Sequence, residues 1–536
     1  FMLSGVVLID LRGSWFLKNS EGPRECSAYQ GITEEEKFFM ISYKVKIGIA
    51  PCRRNMPGFG GRNSKGIWSA GAAYEMMDKV LPYIKEHFGN EHVEFVDLEG
   101  VTDDAMMYDY SQAESIAEFF RSQKIDALFI PNINFGSEEV GGKLGQLMGL
   151  PTLIWSPQEE HFGITETKDI RDSEYGERLL DGQCGLFALS KLLQRYHVKF
   201  TEIPTSKVDS EVFAQYFTDF AAVTCMLKNW KNMRVMQLGN RPLAFTSMMV
   251  NEDELLEKFG IEIFPMSVIE AGRKVKDILE NRKDELQPIV DEFLSYFPIV
   301  DEDLVDSDTF KNGAAALLFY RDMFKTTGCS AIAVDNSFLG EVGNTGMMDM
   351  QMAANEGLPV MFEGDVLGGI TEVLMSSAVF GEKLPFFGEF TANHPTNPNA
   401  ELIWHTAVYP PSIGGNHNFD PYIIKGHFGA QSGMEVKPGT YTIGRFDGMD
   451  NKYSFLMGNF KGVDGPFTRQ HYIWGEFRDW QKFEQAVMYG PYVHHMIEIE
   501  GGEEVVRRLK EFCRYAGIYA DVPDERDTPF APYYYN

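Results

Sequence analysis

The chain has 536 residues, of which 44% are hydrophobic, 13% aromatic and 24% charged. This composition is typical of a folded globular protein and excludes a disordered chain, a collagen-like repeat or a coiled coil, and the length predicts about three domains. The formal net charge is 49 − 78 = −29, which excludes binding to nucleic-acid phosphates or anionic membranes as a main role. A local group of arginines can still bind a small anion.

The cysteines and the N-terminal residues predict a cytoplasmic protein. The six cysteines form no CxxC pair, so they predict neither a zinc site nor a disulfide framework. The apolar run Val6–Leu11 contains Asp10 and is too short for a signal sequence, and no run reaches the ~18 apolar residues of a membrane span. We treat residues 1–43 as an N-terminal extension with no assigned function.

Alternating strands and helices predict two parallel α/β domains. The first, residues 44–197, begins with the alternating apolar residues Val45, Ile47 and Ile49, a glycine-rich loop and a helix that starts near Ile67. The second, residues 198–370, follows the same scheme with strands that include Arg234–Leu238 and Ala331–Asp335, and with a helix near 275–290. Continuous apolar strands separated by helices indicate Rossmann-like sheets covered on both faces.

Aromatic-rich strands separated by Gly, Asn and Pro predict a mainly β domain over residues 371–536. The candidate strands are Phe386–Thr391, Leu402–Val408, Thr440–Phe446, Tyr453–Phe460 and Gln470–Phe477. A final helix is predicted over Glu503–Tyr515.

Carboxylates and histidines at strand positions predict a metal site. Glu363 follows the buried run LPVMF, Glu389 lies inside FFGEF, His405 lies inside IWHTAV, and the pair His494–His495 follows GPYV. A carboxylate in so apolar a run needs a cation or hydrogen bonds to offset its desolvation. Carboxylate and imidazole ligands without a thiol suit Mn²⁺ or Mg²⁺ better than structural zinc. From spacing alone, each histidine is more often a hydrogen-bonded core residue than a ligand, and each glutamate is more often a strand-end or bulge residue.

The loop at residues 50–66, APCRRNMPGFGGRNSKG, carries four cations between a strand and a helix. They are Arg53, Arg54, Arg62 and Lys65. Such a loop suits an anion or a polyol, and we assign Arg53 and Arg54 to substrate binding; the alternative is a solvated crossing loop. The P-loop pattern GxxxxGK[ST] and the nucleophile pattern GxSxG are both absent from the sequence, so nothing supports nucleotide binding or nucleophilic hydrolysis.

Several segments, taken in order, resemble the L-fucose isomerase and L-arabinose isomerase superfamily. They are WSPQEEHF, RDSEYGERLLDGQCGLFALSKLL, FEGDVLGGITEVLM, GEFTANHP, LIWHTAV and GPYVHHMIEI. The resemblance covers about residues 44–520 and implies two Rossmann-like domains before a β-rich domain. It also implies a metal-dependent aldose–ketose isomerase that binds Mn²⁺, Mg²⁺ or Co²⁺ and assembles as a homo-oligomer, a trimer or a hexamer.

The resemblance also implies roles for particular residues. Glu363 and Glu389 match the two carboxylates that bind the metal and move the proton, and His495 matches the C-terminal ligand. His405 matches a further histidine ligand of the arabinose branch, and His494 is the fallback ligand or a substrate contact.

The substrate remains open at this point. Arg53 and Arg54 favour an anionic hexose such as sulfoquinovose, and a neutral sugar of the L-fucose or L-arabinose type is the first alternative. A non-catalytic sugar-binding protein and a metal-dependent aldolase are the other two.

Overall fold

The computed structural model describes residues 41–528 except 59, 65, 160–178, 306, 416–419 and 427–428. In the N-terminal extension it describes only the backbone of a small antiparallel sheet, formed by β1 (Val7–Ile9), β2 (Trp15–Asn19) and β3 (Gly22–Glu25). Lys65 and the segment 160–178, which holds part of two of the family-like segments, lie outside the described residues.

The first α/β domain is built on a five-stranded parallel sheet. Its elements in chain order are β4 (Val45–Ile49), α1 (Ala70–Phe88), β5 (Val93–Val96), α2 (Ala113–Ser122), β6 (Ala127–Pro131), α3 (Glu138–Met148), β7 (Thr152–Trp155), α4 (Gly182–Arg195) and β8 (Phe200–Glu202). The strand order is β5-β4-β6-β7-β8, so the winding direction reverses between β4 and β6. Ligands of such sheets bind beyond the carboxyl ends of the strands at this reversal.

The second α/β domain follows the long helix α5 (Glu211–Lys231). Its elements are β9 (Arg234–Leu238), α6 (Glu252–Phe259), β10 (Glu262–Met266), α7 (Val268–Asn281), α8 (Lys283–Tyr296), β11 (Ile299–Val300), α9 (Glu302–Val305), α10 (Asp308–Thr327), β12 (Ala331–Val334), α11 (Ser337–Val342), α12 (Met348–Asn355), β13 (Val360–Met361) and α13 (Val366–Ala378). The parallel sheet has the order β10-β9-β12-β13. Its reversal therefore lies between β9 and β12.

The C-terminal part is a closed antiparallel barrel with extra strands at its edges. Its elements are β14 (Phe386–Asn393), β15 (Ala400–His405), β16 (Tyr422–Gly426), β17 (Gly429–Glu435), β18 (Thr440–Met449), β19 (Lys452–Val463), β20 (His471–Phe477), α14 (Trp480–Tyr489), β21 (His495–Glu500), α15 (Glu503–Ala516) and β22 (Tyr519–Asp521). The ring β20-β15-β14-β21-β18-β19 closes because β19 also pairs with β20.

The barrel interior is filled by side chains rather than by a channel. Apolar residues from all six strands of the ring pack there, among them Phe386, Ile403, Ile443, Leu456, Phe460, Ile473, Phe477 and Met496. Strands β11, β16 and β17 extend the sheet beyond β20, and β22 pairs with β19. The fold class predicted from the sequence, two parallel α/β domains followed by a mainly β domain, is confirmed.

Three local expectations differ from the structure. Helix α1 begins at Ala70 rather than near Ile67, because the Ser69 hydroxyl accepts the Ala72 N–H and caps the helix there. The helix expected near 275–290 is two helices, α7 and α8, since Arg282 between them has a non-helical backbone.

Helix α13 is the third difference, because the expected elements did not include it. All 13 of its residues are buried, so its sequence lacks the alternating polar face by which helices are recognised. The domain boundary expected after residue 370 falls within this helix.

Candidate active site and metal centre

The candidate site lies where the carboxyl end of the second parallel sheet meets the barrel. Glu363 follows β13, Glu389 lies in β14, and His495 begins β21. Strands β14 and β21 pair in a register that sets Glu389 directly opposite His495. Cross-strand pairs of this kind place their Cβ atoms about 4.5–5.5 Å apart, so two residues far apart in the sequence become neighbours through strand pairing.

Glu363 is held by an unusual backbone. Its φ is 59°, and that of the next residue, Gly364, is 67°. A non-glycine residue in this left-handed region costs on the order of 1–2 kcal/mol. This strained conformation occurs in the turn between β13 and α13, and the turn directs the Glu363 carboxylate toward His495.

The His495 imidazole is the centre of the cluster. Its Nε2 lies 3.3 Å from Glu363 Oε2 and 3.2 Å from Glu389 Oε1, and the ring is fully buried. Burial alone would lower the pKa of His495. The surrounding carboxylates, Asp365 first, outweigh that effect and raise this pKa to about 10.

A buried carboxylate fixes the orientation of His495. Asp365 Oδ2 lies 3.0 Å from His495 Nδ1 and accepts a hydrogen bond from it. Asp365 also receives two hydrogen bonds from the Arg445 guanidinium, at 2.5 and 3.0 Å, and caps α13 through Gly368 N–H. Although burial opposes ionisation, Arg445 and His495 hold the pKa of Asp365 well below its usual range. This second layer fixes the His495 ring with Nε2 facing the two glutamates.

His405 and His494 complete the cluster. In two groups of three side chains, Glu363–Glu389–His405 and Glu389–His494–His495, the ligand atoms all lie within 4.8 Å of one another. His405 Nδ1 lies 3.1 Å from Ala407 N and 3.3 Å from Ala407 O; in the tautomer that donates from Nδ1 to the Ala407 carbonyl, the Nε2 lone pair is left for an ion. His494 Nε2 lies 3.3 Å from Glu389 Oε1, and 44% of its side chain is exposed, which suits a group that meets the substrate.

The electrostatics of Glu389 depend on these histidines. Burial disfavours its charged form, but His494 and His495 outweigh burial and hold the pKa of Glu389 well below its usual range. Glu389 is therefore an ionised carboxylate at neutral pH, and it is available as a ligand or a base.

The donor set fits a divalent ion. Glu363 Oε2 and His495 Nε2 are buried and have no hydrogen-bond partner among the described residues, although they lie 3.3 Å apart. Unsatisfied buried polar atoms are costly, and an ion between them would satisfy both. Carboxylate and imidazole donors without a thiol are the set that Mn²⁺ and similar ions prefer.

The loop after β4 has a different environment. Arg53 Nε lies 2.7 Å from Asp104 Oδ2, and its guanidinium stacks over the Tyr108 ring at 3.8 Å. Arg54 donates to the Gly136 carbonyl at 3.3 Å and lies over the Phe135 ring. Within the described part of the chain, none of these contacts involves the Glu363–His495 cluster.

The sequence did not suggest two residues that the structure places in the site. Arg445 lies in the apolar strand β18 and is 1% exposed; an arginine in so apolar a strand requires buried acidic partners, which was the available signal. Phe245 contacts the His494 and His495 rings edge-on, with centroids 5.9 and 6.1 Å apart. Nothing in its own segment indicated this contact. No described helix is both long and apolar enough to cross a membrane.

Comparisons with known proteins relate the chain to sugar isomerases. Residues 63–231 match the family described as fucose/sulfoquinovose isomerase, N-terminal domain. The chain is 20% identical over 383 residues to sulfoquinovose isomerases of Priestia aryabhattai and Priestia megaterium, covering 67% of this chain and 77% of each relative. A sulfoquinovose isomerase of Alkalicoccus urumqiensis is 20% identical over 349 residues, covering 64% of this chain and 73% of the relative.

The fold and these similarities together indicate an intramolecular oxidoreductase that acts on sugars. Its N-terminal part matches the fucose/sulfoquinovose isomerase family, and these similarities identify the chain as an aldose–ketose isomerase. This finding agrees with the resemblance noted in the sequence and gives no support to a non-catalytic binding protein or an aldolase.

Proposed function

We propose that this protein is a divalent-metal-dependent isomerase of an anionic hexose, sulfoquinovose, with the Glu363–Glu389–His495 cluster as its active centre. The observation that carries the metal dependence is the pair of unsatisfied buried atoms, Glu363 Oε2 and His495 Nε2, beside an ionised Glu389. The names of the relatives support the substrate.

The ion would be held by Glu363, Glu389 and His495, with His405 as a further ligand. When bound, Mn²⁺, Mg²⁺ or Co²⁺ supplies Lewis-acid stabilisation of negative charge that develops on the sugar oxygens. Asp365 keeps the proton of His495 on Nδ1, so that Nε2 is free for the ion.

The glutamates perform the proton transfer. One proton leaves C2 of the aldose and one arrives at C1, while the O2 hydroxyl proton moves to O1; C2 is oxidised to the carbonyl and C1 is reduced to the alcohol. No external oxidant or reductant is needed. We assign the transfer at C1 and C2 to Glu363 and Glu389, whose uncommitted oxygens can act as base and acid.

His494 is placed to contact the substrate. It is half-exposed, lies beside Glu389 and packs edge-on against Phe245 and His495. An imidazole in this position can donate a hydrogen bond to a sugar hydroxyl while it keeps Glu389 ionised.

The experiment is an isomerase assay on protein stripped with EDTA and then supplied with Mn²⁺, Mg²⁺ or Co²⁺. The sugars are sulfoquinovose, its sulfonate-free parent quinovose, L-fucose and L-arabinose, and the readout is ketose formation. We expect no turnover without metal and the highest kcat/KM on sulfoquinovose. Full activity of the stripped protein would contradict the metal dependence, and a higher kcat/KM on a neutral sugar would contradict the substrate.

The assembly is also part of this proposal. Large apolar side chains are exposed around the site, including Leu243 at 94% and Met249 at 65% on the loop that carries Phe245, and Met488 at 71%. We propose a homo-oligomer, a trimer or a hexamer, in which such side chains are covered. Light scattering after size-exclusion chromatography measures the assembly directly.

A further inference from the structure

The loop after β9 contains an arginine that the sequence analysis did not select. The chain leaves β9 through Gly239 and Asn240 and reaches Arg241 at the reversal of the second sheet, between β9 and β12. The Asn240 N–H donates to Asp335 Oδ2, just beyond β12, at 2.7 Å. Reversal points of parallel sheets are where ligands bind, and the carboxyl edge of this sheet also carries Glu363.

The backbone of Arg241 packs against the turn that carries Glu363. A Cβ placed on Gly364 would lie 3.0 Å from the Arg241 Cα and 3.0 Å from the Asn240 carbonyl oxygen. Only glycine lets the two segments approach this closely. Four residues further along, Phe245 contacts the rings of His494 and His495. The loop from Asn240 to Phe245 therefore forms one wall of the site.

The guanidinium of Arg241 has no acidic partner among the described residues. Its Nη1 donates to the Pro242 carbonyl at 3.2 Å, a contact that leaves its positive charge uncompensated. Arg445, the other arginine beside the cluster, is fully buried and paired with Asp365 and Asp447. Arg241 is thus the charged group of this wall that is available to a ligand.

A negatively charged sugar needs such a group. Glu363 and Glu389 both lie against His495 Nε2, and like charges repel an anionic ligand. An arginine fork matches the oxygens of a sulfonate and forms short, charge-assisted hydrogen bonds with them.

We propose that Arg241 recognises the sulfonate of the sugar and determines the preference for an anionic over a neutral hexose. This inference rests on the proposed function, because it concerns the substrate of the same site. In this proposal Arg241 takes the substrate-binding role that the sequence assigned to Arg53, because Asp104 neutralises the charge of Arg53. Arg54 at the edge of the first sheet is the competing candidate.

The test compares two sugars that differ only in the sulfonate, sulfoquinovose and quinovose, on the metal-loaded enzyme. The variants are Arg241→Gln, Arg241→Lys and Arg54→Gln, and the control is Arg273→Gln, which removes an exposed arginine from α7 of the same domain. We expect Arg241→Gln to lower kcat/KM for sulfoquinovose about 10–100-fold, the usual effect of losing a charge-assisted hydrogen bond. The rate on quinovose should change less than about threefold, on a scale where tenfold is ~1.4 kcal/mol.

A binding measurement removes turnover from the comparison. The reduced alcohol of sulfoquinovose has no carbonyl and cannot isomerise, so calorimetry with it and with the alcohol of quinovose reports recognition alone. We expect Arg241→Gln to weaken only the sulfonated alcohol, Arg241→Lys to lie between the variant and wild type, and Arg273→Gln to match wild type.

The possible failures are distinguishable. Wild-type enzyme that treats both sugars alike contradicts the anionic substrate of the proposed function, and the role of Arg241 falls with it. Wild-type preference that survives in Arg241→Gln overturns the role of Arg241 alone. Loss of the preference in Arg54→Gln but not in Arg241→Gln assigns the sulfonate to the first sheet instead.

Discussion

Two regions at the carboxyl edges of parallel sheets carry the polar residues that the sequence indicates as functional. They differ in whether these residues have partners within the fold. In the loop after β4, Arg53 is paired with Asp104 and Arg62 with Asp78. In the site after β13, Glu363 Oε2 and His495 Nε2 are buried without a hydrogen-bond partner among the described residues. An arginine paired with a carboxylate has its charge compensated within the fold, whereas buried polar atoms without a partner indicate a ligand.

The largest expected effect comes from removing a charge of the unsatisfied cluster. Glu363→Gln and Glu389→Gln should each lower kcat about 10²–10⁴-fold, the range of a lost acid–base group, because each removes both a charged ligand and a proton acceptor. Circular dichroism serves as the folding control. More than about a tenth of wild-type activity in a folded variant, on the ~1.4 kcal/mol per tenfold scale, would remove that glutamate from the mechanism.

The next effect concerns the layer behind His495. Asp365→Asn should weaken Mn²⁺ binding about 10–100-fold, since the asparagine no longer fixes the His495 proton on Nδ1. Titration of metal-stripped protein followed by the electron paramagnetic resonance of free Mn²⁺ measures this affinity. Asp447→Asn is the matched control, because Asp447 contacts Arg445 and has no described contact with His495. Equal affinities for Asp365→Asn and wild type would show that the second layer is only structural.

Arg53, which is paired with Asp104, should contribute more to the stability of the fold than to recognition of the sugar. Arg53→Gln leaves the Asp104 side chain, 5% exposed, without its cation, and should lower stability by about 1–3 kcal/mol. The measurement is the thermal unfolding midpoint. Arg54→Gln, which loses a contact to a carbonyl and a ring, should change the midpoint less. Identical midpoints for both variants and wild type would mean that the ion pair between Arg53 and Asp104 does not stabilise the fold.

Glu389 and Glu401 lie on the adjacent strands β14 and β15. We expect a smaller effect here, in which the two carboxylates differ in how their contribution to stability depends on pH. Glu389 is surrounded by histidines, whereas burial and, secondarily, Glu484 raise the pKa of Glu401 to about 7. A raised pKa means that the stability contributed by Glu401 is complete below its unfolded pKa of about 4.3 and is lost as the pH rises through about 7.

Glu401→Gln should therefore be more stable than wild type above pH ~7, by on the order of 1–2 kcal/mol, and equal to it near pH 4. Thermal unfolding across this pH range measures the difference. A constant difference at every pH would show that Glu401 does not titrate in this interval. Glu389→Gln should show no such gain at high pH, because Glu389 is ionised well below neutrality.

The sequence by itself determined the fold class and the identity of the cluster residues. Continuous apolar strands separated by helices specify parallel sheets. Carboxylates or histidines in apolar strands require compensation, which together with the family resemblance indicates Glu363, Glu389, His405 and His495 from the sequence. A fully buried helix such as α13 could not be recognised, because it has no polar face to mark its period.

Only the tertiary structure decided which charged side chains form ion pairs with one another and which are left for a ligand. Asp104 reaches Arg53 from 51 positions away, and Arg445 reaches Asp365 from 80 positions away; the segments around these residues do not encode such pairings. The register of β14 with β21 set Glu389 opposite His495, and the reversal between β9 and β12 brought the Arg241 backbone beside Gly364, the residue after Glu363. Strand pairing and sheet order are non-local properties, so the chemistry of the site depends on contacts that exist only in the folded chain.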